Sequence, residues 1–115
     1  MKLLTQELKA QLLANWKANA NGEDLIDFKP VVKFFNPIGS ATWLFTELSP
    51  EDEDTLFGLC DCGLHCPELG YASLEEIESY TGVWGIGIER DLGFTPNKTL
   101  SQYADEARIA RRIVA

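Results

Sequence analysis

The sequence predicts an α+β fold: a small antiparallel sheet of three to five strands, flanked by an N-terminal helix, a short middle helix and a C-terminal helix. Three observations carry that reading. Leu4, Leu8, Leu12 and Trp16 recur every four residues, as one face of an amphipathic helix requires. Runs rich in β-branched and aromatic residues follow in succession, separated by turn residues. Helix-start signals then stand at Ser73 and Thr99. Strands in sequence, with helices at the ends and one between, favour an antiparallel sheet over a βαβ winding.

The first helix places Gln6, Lys9 and Asn15 away from its leucine stripe and ends at Asn19, Asn21 and Gly22. After Pro30, Val31-Val32-Lys33-Phe34-Phe35 reads as a strand. Asn36-Pro37-Ile38-Gly39-Ser40 is a turn, and residues 41–47 read as the returning strand of a hairpin. Ser49 to Asp54 is an acidic loop. Residues 55–60 read as a third strand, followed by a glycine- and cysteine-containing stretch to about Gly70. Ser73-Leu74-Glu75-Glu76 has the spacing of a capping box, opening a short helix to about Tyr80, with Gly82 placed to stop it. Ile86-Gly87-Ile88 reads as a last short strand. Thr99-Leu100-Ser101-Gln102 repeats the capping spacing. The final helix is expected to align Leu100, Tyr103, Ala107, Ala110 and Val114, with Arg108, Arg111 and Arg112 near its C-terminus, where cations complement the dipole.

A chain of 115 residues fits one domain, 1–115. No apolar run reaches the roughly 20 residues that span a bilayer, and the N-terminus turns polar too soon for a signal peptide. A cytoplasmic location is therefore expected. An odd count of 3 cysteines agrees with a reducing compartment.

Charge is distributed unevenly. Residues 1–46 are net +1, residues 47–91 net −11 and residues 92–115 net +2, giving −8 in all. Such a field repels nucleic acid and anionic membrane and favours basic partners or cations. The candidate partner-binding residues are Glu47, Glu51, Asp52, Glu53, Asp54, Glu75, Glu76, Glu78, Glu89 and Asp91. Brought onto one surface, they would form a carboxylate stripe able to compete for a basic nucleic-acid channel. Arg90, between Glu89 and Asp91, is expected to pair locally and organise these acids.

Two other constellations carry possible chemistry. Cys60, Cys62, His65 and Cys66 fall within seven residues, and thiolates with imidazole suit zinc. Structural zinc sites usually join two separated ligand pairs, whereas this is one compact knot. Cys60 and Cys62 can equally share one strand face as small hydrophobes. Gly82 to Asp91 holds three glycines and Trp84. The spacing is not the dinucleotide fingerprint. Glycines that shape a turn, with Trp84 packed in the core, explain it. An enzyme pocket around Trp43, Trp84, Glu89 and Arg90 is the alternative, and no catalytic residue can be named for it.

Several segments resemble a known family. They are Leu3-Leu4-Thr5, Val32-Lys33-Phe34-Phe35-Asn36-Pro37, Thr42-Trp43, Phe57-Gly58-Leu59, Glu68-Leu69-Gly70-Tyr71, Ser73 to Glu78 and Ile88 to Leu92. In this order they are similar to the small bacterial domain of unknown function two-nine-five-eight, over most of residues 1–97. Residues 98–115, the last helix, are less clearly included. The resemblance implies association with mobile elements, often near antirestriction genes, and supplies no catalytic residue. The expected function is therefore a small, non-enzymatic interaction protein without a cofactor. It would inhibit a host defence nuclease, as an anti-CRISPR or antirestriction protein does, by binding a basic surface. Zinc binding at Cys60–Cys66 is the alternative.

Overall fold

The computed structural model describes residues 2–115. The elements run α1 (Gln6–Asn19), β1 (Val32–Phe35), β2 (Thr42–Leu48), β3 (Thr55–Asp61), β4 (Glu68–Ser73), α2 (Leu74–Ser79), β5 (Glu89–Arg90) and α3 (Leu100–Ala110). All strand pairs are antiparallel, in the order β4-β3-β2-β1-β5. The α+β class and the three helices are as the sequence predicts.

Helices cover both faces of the sheet, and β3 records this residue by residue. Leu56 and Cys60 pack with Val32, Phe34, Phe45 and Leu48 against Leu12 of α1 and Ile77 of α2. Phe57 and Leu59 face the other way, with Leu44, against Leu100, Tyr103, Ala104 and Ala107 of α3. Burial on both faces explains why residues 55–60 read as a continuous apolar run rather than an alternation.

Four sequence expectations are corrected. Strand β4 lies within a stretch read as loop: it pairs with β3 from Cys60↔Glu68 to Thr55↔Ser73. The last strand is Glu89–Arg90, opposite Phe35 and Phe34, not 86–88. Gly87 bridges Thr81 instead, so the chain enters the sheet later. Helix α3 ends at Ala110, with Arg111 left-handed at φ 63°. This turn sends Ile113 into the core and leaves Ala110 and Val114 exposed.

The fourth correction concerns Asn15, which is buried. The β2–β3 register slips between Phe45 and Glu47, which leaves Thr46 out of the paired residues. The Asn15 amide donates to the Thr46 carbonyl oxygen at 2.9 Å. A buried backbone acceptor left alone is costly, so a polar residue on the inner side of α1 is required there.

Hydrogen bonds fasten the outer segments. Glu78 accepts from the Leu3 amide at 2.8 Å, and Arg90 donates to the Leu3 carbonyl. The buried Asp61 carboxylate accepts from the Ile113 amide at 3.0 Å and the Gly63 amide at 2.9 Å. No helix among the described residues is long and apolar enough to cross a membrane.

Candidate functional site

The ten acids separate into groups. The largest gathers where the β2–β3 turn meets the start of α2. Asp54 makes the junction: its carboxylate accepts from the Glu75 amide at 2.7 Å and the Ser73 hydroxyl at 2.7 Å, while its carbonyl accepts from the Leu74 amide at 2.8 Å. Ser73 Oγ in turn accepts from the Glu76 amide at 3.2 Å. The Ser73 cap is therefore present, but the reciprocal bond from the Ser73 amide to the Glu76 side chain, which the sequence predicts, is not; Asp54 instead accepts from the Glu75 amide of the same first turn. Glu51, Asp52, Glu53, Asp54, Glu75 and Glu76 share this end of the molecule. Lys9 of α1 reaches it and pairs with Glu53 at 2.5 Å.

Asp52 is a structural acid. Its carboxylate accepts from the Thr55 hydroxyl at 2.6 Å, the Thr55 amide at 3.0 Å and the Asp54 amide at 2.9 Å. These bonds, the Thr55 hydroxyl foremost, hold its pKa at about 2, below the ordinary 3.8. A carboxylate whose pKa is depressed by folding stabilises above its unfolded pKa, and this is lost as pH falls through the folded value. Stability should therefore decline between pH 3.8 and about 2, and thermal melts of Asp52→Asn should show a shallower decline across that window. Equal slopes for the two proteins would remove the loop bonds as a source of acid sensitivity.

The remaining acids lie elsewhere. Glu78 holds Leu3. Glu89 and Asp91 sit at the β5 edge, and Asp91 pairs with Lys33 at 3.6 Å. Arg90 turns to Leu3 rather than to its acidic neighbours, contrary to the sequence expectation. The ten therefore do not stand as one free stripe: Glu78 is engaged with Leu3 and Asp91 with Lys33, apart from the Asp54 junction.

Glu47 stands in a different setting. Paired strands place Glu47 opposite Phe57, and Phe57 opposite Tyr71, so the three side chains form one row on one face. Helix α3 covers the neighbouring Leu44–Leu59 row but not the far end of this one. Trp16 meets Tyr71 edge-on at 6.3 Å, and Phe57 lies 5.2 Å from the same ring, yet Tyr71 remains 68% exposed.

A loop closes the other side. The Asn19 amide clasps Ile26, donating to its carbonyl at 3.1 Å and accepting from its amide at 2.8 Å. Asp27 accepts from the Ser101 amide at 3.1 Å and from the Ser101 hydroxyl. Burial raises the Asp27 pKa, but the Ser101 and Thr99 hydrogen bonds outweigh it and leave it below 3.8. The result is a groove of about 580 Å³, within the size range of ligand sites. Glu51 stands at the margin it shares with the acidic end. Burial pushes the Glu47 carboxyl up, against hydrogen bonds from Asn19 and Thr46.

The cysteine segment forms the β3–β4 connection. Cys60 is half-buried against the first core cluster, while Cys62 and Cys66 are exposed. Burial, then the neighbouring Cys62, push the Cys60 thiol up to about 11. It stays protonated at neutral pH and is a poor nucleophile. Among the described residues, no group of three or more His, Cys, Asp or Glu is placed to hold a metal ion. Trp84, expected in the core, is 85% exposed on a left-handed residue at φ 62°. Trp43 packs instead against the first core cluster.

The groove is the feature sequence reading missed. Its walls come from α1, the 22–28 loop, β2, β3, β4 and the start of α3, and only Glu47 and Glu51 were singled out. The alternation of Leu69 and Tyr71 around Gly70 was the available signal.

A family model described as a protein of unknown function (DUF2958) matches residues 3–114, a span that includes α3. No curated protein and no solved structure matches the chain.

Proposed function

We propose, from the premise that this chain belongs to the DUF2958 family of proteins of unknown function, that it is an interaction protein engaging a basic surface of a partner. The observation that carries this reading is the gathering of Glu51, Asp52, Glu53, Asp54, Glu75 and Glu76 around the Asp54 junction. Like charges held together cost self-repulsion, and a cationic partner relieves it. Asp52 and Asp54 serve the fold as well, which leaves Glu51, Glu75 and Glu76 exposed as the outward-facing members.

The partner we propose is the nucleic-acid-binding surface of a host defence nuclease, of the CRISPR or restriction type, blocked on behalf of a mobile element. Duplex DNA presents about one negative charge per 1.7 Å of axis, so a surface built for it is complementary to a dense carboxylate cluster. The mobile-element association implied by the family resemblance supports the same partner class.

The test is inhibition of DNA binding by purified nucleases of both types. The wild-type chain should inhibit one of them, with an affinity that weakens as salt rises. Glu51→Lys, Glu75→Lys and Glu76→Lys combined should weaken inhibition on the order of 100-fold, with the thermal melt retained. Inhibition unchanged by the triple variant, or no inhibition of either type, would exclude this role.

A further inference from the structure

The groove beside the acidic end has a composition that selects its occupant more narrowly than charge alone. We infer that it receives an arginine side chain from the partner, with the guanidinium against the Trp16–Tyr71 rings and facing the Glu47 carboxylate. This deepens the interaction reading above and rests on it for the source of the arginine.

Three features converge. The row Glu47–Phe57–Tyr71 is fixed by strand register, so the carboxylate-bearing and aromatic residues share one face of the sheet. The Tyr71 ring is held between Trp16 and Phe57 but left largely uncovered, as a stacking platform must be. Glu47 is half-buried and, among the described residues, no Lys or Arg is paired with it.

Each alternative occupant leaves something unsatisfied. A purely apolar side chain would bury Glu47 further without a counter-charge, which is costly. An ammonium is a strongly hydrated point charge and loses that water against apolar walls. A guanidinium is planar and weakly hydrated, stacks on aromatic faces and meets a carboxylate through two N–H groups. Glu51 at the shared margin then carries the partner's segment onto the acidic end.

The test is calorimetric titration of the full chain with an acetylated, amidated alanine–glycine pentapeptide bearing one central arginine. Counterparts carry citrulline or lysine, and free arginine is titrated alongside. The arginine peptide should bind at least tenfold more tightly than the citrulline and lysine peptides and free arginine. Glu47→Gln and Tyr71→Ala should each weaken it at least tenfold, while Glu7→Gln, on the exposed first turn of α1, should not. Retained folding of Glu47→Gln, checked by its thermal melt, keeps the result interpretable if Tyr71→Ala is unstable. Equal binding of the citrulline or lysine peptide, insensitivity to Glu47→Gln, or no binding would overturn the inference. Free arginine binding as tightly as the peptide would overturn the partner segment as its source. Nuclease inhibition lost with the Glu51, Glu75 and Glu76 reversal but untouched by Glu47→Gln would sink the groove alone. Arginine-peptide binding without nuclease inhibition would sink the nuclease role alone.

Discussion

Gly58→Ala is expected to destabilise the protein by about 3 kcal/mol or more, at the upper end of overpacking costs. A Cβ built on Gly58 would lie 2.0 Å from the Leu44 carbonyl oxygen, 2.7 Å from Phe45 Cα and 2.9 Å from the Leu44 carbonyl carbon. Every one of these atoms is backbone of the adjoining strand, so no rotamer change can relieve the clash. The contact lies beside the register slip that follows Phe45 in β2, where the extra residue disturbs the ladder. Gly70, opposite Gly58 on β4, is the natural control: a Cβ there meets nothing within 4 Å, and Gly70→Ala should change stability by no more than about 0.5 kcal/mol. Urea denaturation separates the two, through a lowered midpoint at constant m-value for Gly58→Ala. A loss below about 1 kcal/mol would mean that the β2 backbone can shift to make room.

The second large effect is expected at Phe34. Its side chain is fully buried and meets Phe45 edge-to-face, with ring centroids 5.7 Å apart and planes at 66°. Phe34→Ala should cost about 3–5 kcal/mol, from lost transfer energy and the cavity left in the first core cluster. Domains of this size have about 5–15 kcal/mol in total, so the variant should be marginal at 37 °C by circular dichroism. Phe34→Leu keeps most of the volume and should retain the fold. Pairing Phe34→Leu with Phe45→Leu in a double-mutant cycle isolates the ring–ring contribution, expected at about 0.5–1.5 kcal/mol. If Phe34→Ala costs no more than Phe34→Leu, the core around it collapses freely and is not packed as described.

The pattern of what was legible in the sequence follows from distance along the chain. Helix α1 announces itself through local periodicity, and strands β1 to β3 through apolar runs bounded by turn residues. The Ser73 and Thr99 caps are signals four residues long, and the Thr99–Gln102 box forms as predicted. Strand β4 was hidden because Gly70 interrupts its alternation and the cysteine segment before it resembles a loop. Asn15 was assigned to the solvent side because its partner, the Thr46 carbonyl, lies 31 residues away. Counting charges located the acidic segment but not its division of labour: Asp52 and Asp54 hold the backbone, and Glu47 faces aromatic rings. Trp84 was expected inside from its type alone, whereas the turn that carries it points it outward. Beyond the alternation of Leu69 and Tyr71, the groove had no local signature, since its walls meet only when five elements have folded.

The fastening of Leu3 also sets an order of events. Strands β1 to β4 are neighbours in sequence as well as in the sheet, and such pairings close early. Leu3 is different: its amide and carbonyl are satisfied by Glu78 and Arg90, 75 and 87 residues further on. During synthesis on the ribosome, which proceeds at about 5–20 residues per second, these two bonds cannot form until α2 and β5 have followed. The clasp on Leu3 therefore closes late, after the strands whose core residues its side chain packs against have already been made.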